Sequence, residues 1–494
     1  MTPPPTEEPL DLLGVGAGPF NLSLAALADG IPGLRGVFYE QRPAFHWHPG
    51  LLIEGATLQV PFLADLVSLV EPTSPWSFLN YVKNSRRLFP FYFAEQFHIH
   101  RAEYDHYLRW ASRELPSVHF GHQVDTVRWD TEHRAFAVDF TRVDADGDAQ
   151  AVGRTYARNL ALGIGTAPHV PEPLRELADD PGTLVLHSAD YLAHRDRLLT
   201  ARHITVVGSG QSGAEVLLDL MRARPQGREG LTWLARTPAF APMEYSKIGL
   251  EQFTPDYTRY FHGLPEATRD RLLPNQWQLY KGVSGETLGD IHDELYRRSL
   301  GGTWPDVTLT PGVAVQRATR AGGRIELDVE HGLQETRGRL VTDAVVLATG
   351  YRERPMDGLL GALAPYILRD EAGRPEVDEE QRLRLAPEID GAVYVQNAER
   401  HTHGVGTPDL GLAAWRSAVI LNSLTGKDFY LLPERTAFTT FGLDGLAAPG
   451  PDAAFAGTTS NSGSSTSNTR STRSTRSTRS TTTSTSIIST GGRS

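Results

Sequence analysis

Asp11-Leu12-Leu13-Gly14-Val15-Gly16-Ala17-Gly18-Pro19-Phe20-Asn21 lies near the start of this chain. His203-Ile204-Thr205-Val206-Val207-Gly208-Ser209-Gly210-Gln211-Ser212-Gly213 repeats its grammar nearly two hundred residues later. Each stretch begins as an apolar run that reads as a buried strand, and each opens a helical pattern. In that context the glycines let the backbone approach a pyrophosphate at a helix N-terminus. One such match carries little weight. Two imply two dinucleotides facing each other, a flavin and a nicotinamide. The expected fold class is α/β, with two Rossmann-like dinucleotide-binding domains of the two-dinucleotide flavoprotein type.

Around the first fingerprint, residues 10–16 read as a strand, 19–29 as a helix and 36–40 as the next strand. Glu40 ends that second strand, where a carboxylate accepts the ribose hydroxyls of an adenosine lacking a 2′-phosphate. The second βαβ unit begins at Ala201, and its second strand, 231–235, ends in Arg236 rather than an acid. A guanidinium there suits a 2′-phosphate, which selects NADP over NAD. Residues 100–115 read as an amphipathic helix, 118–140 as paired strands and 156–163 as a further strand. Residues 343–351 run as a buried strand into Ala348-Thr349-Gly350-Tyr351 and return the chain to the first domain. A late strand is expected at 391–396 and a final helix at 409–424, with Asp409 as its N-cap. The aromatic run from Phe89 to Phe97 reads as core or subunit contact. The expected organisation is a flavin domain over 1–195 and 346–440, a nicotinamide domain over 196–345, and a Ser/Thr/Arg-rich tail over 441–494. Past Gly445 the tail offers almost nothing apolar to offset its ordering entropy, so it is expected to be disordered and dispensable for turnover.

With 494 residues, 40% hydrophobic and 22% charged, the chain has the composition of an ordinary globular protein of two or three domains. A net charge of −11 argues against nucleic acid as a partner. There is no cysteine, which excludes disulfide scaffolds, thiolate metal sites and the dithiol of the flavin disulfide reductases. No leader or membrane-spanning stretch is legible, so a cytoplasmic location without membrane contact is expected.

Several stretches outside the fingerprints carry a resemblance. They are Gly-Pro-Phe-Asn-Leu-Ser at 18–23, Phe45-His46-Trp47-His48-Pro49-Gly50, and Leu58-Gln59-Val60-Pro61-Phe62-Leu63-Ala64-Asp65-Leu66. Arg101-Ala102-Glu103-Tyr104, Met243-Glu244-Tyr245-Ser246-Lys247 and Asn397-Ala398-Glu399-Arg400-His401-Thr402-His403-Gly404 extend it over most of residues 10–430. Together they resemble the flavin-dependent N-hydroxylating monooxygenases of hydroxamate siderophore biosynthesis, the lysine, ornithine and diamine N-hydroxylases. The resemblance implies FAD, NADPH and O2, and a primary amine hydroxylated through a C4a-hydroperoxyflavin, in a homo-oligomer. It implies Gly16, Gly18, Pro19 and Asn21 at the FAD pyrophosphate and Glu40 at its ribose. Trp47, His48 and Gln59 lie by the flavin, with Thr349 and Gly350 on the returning segment. Asp409, Leu410 and Gly411 open the last helix, whose dipole favours negative charge on reduced flavin. Gly208, Gly210, Gln211, Ser212, Gly213 and Arg236 hold NADPH, with Lys247 and Lys281 as further candidates. The His46/His48 and His401/His403 pairs fall inside these motifs, and no metal is expected.

One departure bears on the substrate. The amino-acid hydroxylases typically carry a lysine where this chain has Ala64, and an asparagine where it has Leu250. Both hold the amino-acid head, and removing the ammonium partner of a desolvated carboxylate costs several kcal/mol. A substrate without a carboxylate, cadaverine or putrescine, is therefore expected, with L-lysine or L-ornithine as the alternative. Asp65, Glu71, Glu244 and Glu251 are the carboxylates near in sequence for its distal ammonium. Gln59, Ala64, Asp65, Glu244, Leu250 and Lys281 make up the candidate pocket. A catalytically silent flavoprotein that binds FAD, NADPH and a partner protein is the reading from outside enzymology.

Overall fold

The structure is a computed structural model and describes residues 8–443. Leu10–Val15 is the middle strand of the first sheet, apolar because both faces are covered, with Leu12 and Leu13 fully buried. It runs parallel to Gly36–Glu40, which pairs with Val118–Phe120, and on its other side parallel to the C-terminal half of the long strand Ala149–Leu162. Val393–Val395 pairs with that same half, again parallel. The helix Pro19–Ala28 follows the central strand. It is buried from Phe20 to Ala28, because the final helix Ala413–Thr425 packs along it. The N-terminal half of Ala149–Leu162 turns antiparallel against Ala135–Val143, which pairs with His122–Asp130. Residues 118–140, expected as one set of paired strands, are thus divided between the parallel layer and this meander.

The second sheet is wholly parallel, in the order Val307–Pro311, Leu231–Ala235, Ile204–Val207, Ala344–Leu347, Val185–His187. Its last strand lies ahead of the boundary expected at 196. Three residues carry no periodicity; only the neighbour Ala344–Leu347 makes them a strand. Three antiparallel strands, Val313–Ala321, Arg324–His331 and Thr336–Thr342, precede the return into this sheet. Thr166–Pro168 pairs antiparallel with Tyr351–Glu353, so the outgoing and returning chain cross side by side between the two sheets. A second tie is ionic. Arg101, at the start of the helix Arg101–Glu114, donates two hydrogen bonds of 2.6 and 2.8 Å to Glu215 on the helix Gln211–Ala223. No helix among the described residues is long and apolar enough to cross a membrane.

The aromatic run is divided: Phe91 packs on Phe62 and Phe78 at the edge of the core, whereas Phe89, Tyr92 and Phe93, on the same short helix Leu88–Ala94, are all at least 70% exposed. Near the other end, residues 436–441 lie as a strap across the helix Pro255–His262. Asp256 accepts from the backbone N–H of Thr436 and Ala437, and Glu251 from those of Phe438 and Thr439. Phe441, expected in the tail, packs on Tyr257 and Tyr260 at 5.0 and 5.9 Å. Residues 444–494 of the expected tail lie outside the described residues. A chain ended after Gly442 keeps the strap and is expected to turn over like the full chain. One ended after Leu432 loses it, and a thermal melt should fall by several degrees as Glu251 and Asp256 lose their donors and Tyr257 its cover.

Candidate active site

Both fingerprints fold as their spacing predicts, and the backbone explains the glycines. Gly16 sits at φ +84°, where an added Cβ would stand 2.5 Å from the Gly163 carbonyl oxygen. Gly208 sits at φ +132°, with a Cβ position 2.1 Å from the Ala348 carbonyl oxygen. Neither helix that follows has a side-chain cap. Gly18 precedes Pro19, and Gly210 precedes Gln211, so no side chain occupies the first-turn N–H groups of either helix. A Cβ on Gly18 would meet nothing within 4 Å.

Two fingerprint side chains turn inward instead. Asn21 is fully buried; its amide donates to the carbonyls of Val15, Gly16 and Ala161, and its oxygen accepts from Gln396 at 2.7 Å. Its side chain secures the loop from beneath rather than facing a pyrophosphate. Gln211 likewise donates to Glu215 and Thr287 and accepts from the N–H of Ser284. Gly213 lies beneath the Gly208 carbonyl, whereas the Ser212 side chain is half-buried beside the loop.

Glu40 ends its strand buried. One oxygen accepts from the N–H of Ala17 at 3.0 Å and the other from Arg42 at 3.0 Å. Burial works against its charge, but the hydrogen bonds and charge of Arg42 and the Ala17 N–H hold its carboxyl below the usual range. At the matching position of the second sheet Arg236 is exposed and has no carboxylate within salt-bridge distance among the described residues. Lys281 and Arg400 share the Tyr280 ring, at 5.2 and 5.7 Å from its centroid. Partial burial, then the charges of Arg400 and Arg236, pull the Lys281 ammonium below its ordinary pKa. Three cations thus gather at the end of the strand Leu231–Ala235.

Between the sheets runs a chain of rings. Trp47 donates its backbone N–H to Asp105 at 2.8 Å, and its ring meets Tyr104 and His48 edge-on, each at 5.1 Å. His48 meets Tyr351 at 5.5 Å, and Tyr351 meets His187 at 5.2 Å. His48 opens onto this cleft with φ 46°. Sparse solvation there and the positive charges of Arg101 and Arg42 pull its pKa down to about 4, so it is a neutral imidazole at physiological pH. Thr349 donates to the His169 carbonyl, and Gly350 accepts from His187, so both steady the crossing. The Gln59 amide nitrogen and the Tyr351 hydroxyl are buried with no partner among the described residues. Orphaned donors, an uncapped helix and an open glycine are what a flavin nucleotide would satisfy, and the residues present fit one.

On the substrate side Ala64 is 4% exposed. Asp65 is not a free anion: it accepts from the N–H groups of Val67, Ser68 and Phe78 and from the Ser68 hydroxyl, and serves as a local cap. Glu71 holds Thr73, and Glu251 holds the strap. Glu244 is exposed and accepts from Ser246; Lys247 beside it is exposed, and Leu250 is 37% exposed. The final helix begins at Ala413, while Asp409 caps the preceding turn Leu410–Leu412 by accepting from the Gly411 N–H at 2.7 Å. Nothing in local periodicity announces the ion pair beneath it, Arg416 with Glu399 at 3.3 Å, both within 3% of full burial. The paired histidines diverge: His46 contacts Arg109, His401 the Pro375 carbonyl, and His403 Thr402. Among the described residues no group of three His, Cys, Asp or Glu is placed to hold a metal.

Two nucleotide-type sheets, one mixed and one wholly parallel, joined by an outgoing and a returning segment, define a two-dinucleotide flavoprotein. Within that class the chain belongs to the L-lysine 6-monooxygenase/L-ornithine 5-monooxygenase family, whose model matches residues 8–353. The rhizobactin siderophore biosynthesis protein RhbE of Rhizobium meliloti is 43% identical over 88% of this chain and 95% of its own. The putrescine N-hydroxylase of Shewanella oneidensis is 38% identical over 87% and 84%. The crystal structure of the FAD-bound cadaverine monooxygenase DfoA of Erwinia amylovora superposes with a TM-score of 0.82, at 37% identity over 88% of this chain and 98% of that one.

Proposed function

We propose that this protein is an FAD- and NADPH-dependent N-hydroxylase of a linear aliphatic diamine, cadaverine or putrescine, in siderophore assembly. The loop at Gly16 and Gly18 and the carboxylate of Glu40 would hold FAD, with Trp47, His48 and Gln59 beside its ring system. The loop at Gly208 and Gly210, with Ser212 and Arg236, would hold NADPH. Bound FAD supplies the redox chemistry that activates O2. The chain's own part is to orient and to exclude water. The ring wall of Trp47, Tyr104 and Tyr351 lowers the local polarity, which favours the uncharged, nucleophilic form of an entering amine. His48, neutral in the same wall, adds no competing positive charge.

What carries the substrate reading is Ala64, a buried methyl where the amino-acid hydroxylases typically place a lysine. An α-carboxylate arriving there would be desolvated without an ammonium partner, at a cost of several kcal/mol. Relatives named for putrescine and cadaverine support it. The test is a panel: hydroxylamine formation and NADPH-dependent oxygen uptake with cadaverine, putrescine, L-lysine and L-ornithine. Activity on either diamine, well above that on both amino acids, is expected. Turnover of lysine or ornithine and neither diamine refutes the reading, and no hydroxylamine from any amine refutes the activity.

The coenzyme assignment has its own test. Arg236→Ser removes a charge-assisted contact worth about 1.5–3 kcal/mol, so KM for NADPH should rise about tenfold to a hundredfold. KM for NADH, which lacks the 2′-phosphate, should barely move. An equal rise for both would place the phosphate elsewhere.

A further inference from the structure

The diamine reading leaves one charge unaccounted for, since the four carboxylates nearest in sequence to the pocket are saturated, exposed, or held on an exposed turn. Asp65 is saturated by three backbone N–H groups and a hydroxyl and Glu251 by the strap, Glu71 spends one oxygen on Thr73 in an exposed turn, and Glu244 lies on the surface. Asp409 is different. One oxygen accepts from Gly411, and its other oxygen has no hydrogen-bond partner among the described residues.

Its surroundings are short of one positive charge. Glu399 and Arg416 are 0% and 3% exposed and pair at 3.3 Å. Arg416 directs its second nitrogen to the Thr407 carbonyl at 2.7 Å and stacks its guanidinium over Phe20 at 4.9 Å. Its other terminal nitrogen faces Glu399 as an ionic contact without a hydrogen bond, and it forms no salt bridge with Asp409. His403, the next titratable group, is held neutral by burial, its pKa well below the ordinary value. Two carboxyl groups therefore share one guanidinium, Glu399 fully buried and Asp409 half-buried. Either one keeps a proton or a cation joins them. Consistent with this, burial pushes the Asp409 carboxyl up to about 6.

The position suits a substrate end. The segment 404–406 packs against the turn Gly249–Phe253, which carries Leu250. Asp409 also lies close enough to Tyr104 to raise that phenol's pKa, and Tyr104 is the ring against Trp47. It thus lies between the ring wall and the element where the amino-acid hydroxylases keep their asparagine.

We propose that Asp409 is the specificity-determining residue that binds the distal, unreacting ammonium of the diamine. This rests on the diamine reading. The unpaired oxygen accepts from the ammonium, the buried cluster becomes neutral, and the opposite amine is left to lose its proton and face the reacting centre.

The test compares diamines with monoamines of the same length in the FAD-loaded enzyme. For wild type, Asp409→Asn and Asp409→Glu, kcat/KM is measured for putrescine against n-butylamine and for cadaverine against n-pentylamine. Calorimetric titration of each diamine gives binding without turnover. Asp409→Asn should lower the diamine-to-monoamine ratio about thirtyfold or more and weaken diamine binding by a similar factor. Asp409→Glu, which keeps the charge, should recover most of both. An unchanged ratio, with diamine and monoamine falling together or neither falling, overturns the anchor while leaving the diamine reading standing. A wild type that hydroxylates lysine or ornithine but no diamine overturns both.

Discussion

Gly208→Ala is expected to reduce the rate of flavin reduction by NADPH at least about a hundredfold while leaving FAD content near that of the wild type. The added methyl meets two obstacles. At φ +132° an L-residue is strained by roughly 1–3 kcal/mol. Its Cβ would also stand 2.1 Å from the Ala348 carbonyl oxygen, a backbone atom in the strand-to-loop junction that no rotamer change can move. Relief requires the second glycine loop to shift bodily, and the uncapped N-terminus of the helix Gln211–Ala223 shifts with it. A displacement of about 1 Å at a positioning element costs on the order of a hundredfold. The first sheet, which carries the loop at Gly16, is untouched, so FAD should still copurify. Stopped-flow reduction under anaerobic conditions, with flavin absorbance for content, separates the two. A reduction rate within a few-fold of wild type would show that this loop does not position the nicotinamide nucleotide.

Arg416→Ala should destabilise the fold by about 3–5 kcal/mol. Glu399 would remain fully buried with its main countercharge gone, and the Gly406 and Thr407 carbonyls would lose a donor. The double substitution Glu399→Gln with Arg416→Met removes both charges together and should recover a substantial part of that loss. Urea denaturation of the three proteins measures it. A single variant no less stable than the double one would mean that water or a relaxed loop already compensates Glu399 in the native state.

How much of this was legible beforehand depends on how local the signal is. The βαβ units were legible because burial on both faces writes continuous apolar runs, and the tight turns leave glycine at spacings few other sequences share. Glu40 and Arg236 could be placed because each ends a strand at a fixed offset from its fingerprint. Asp65 was one of four carboxylates offered for the distal ammonium, and the fold leaves it no free oxygen. Its donors include Phe78, thirteen residues away, and no pattern in the sequence reveals that pairing. Asn21 and Gln211 were expected to face nucleotides and instead fasten their loops to distant segments, Asn21 reaching Gln396 and Gln211 reaching Ser284.

Composition, two glycine signatures and short-range spacing were sufficient for the α/β class and the paired nucleotide fingerprints, because each depends on contacts made within a few turns of chain; the family was legible only as a resemblance of motif stretches spread over residues 10–430. Which carboxylates are saturated, which keep a vacant oxygen, and how Arg101 ties its helix to the helix Gln211–Ala223 through Glu215 came from the folded arrangement alone. Those properties depend on burial and on partners up to hundreds of residues apart. A carboxylate's chemistry is set by the dielectric and donors around it, and only packing assembles those.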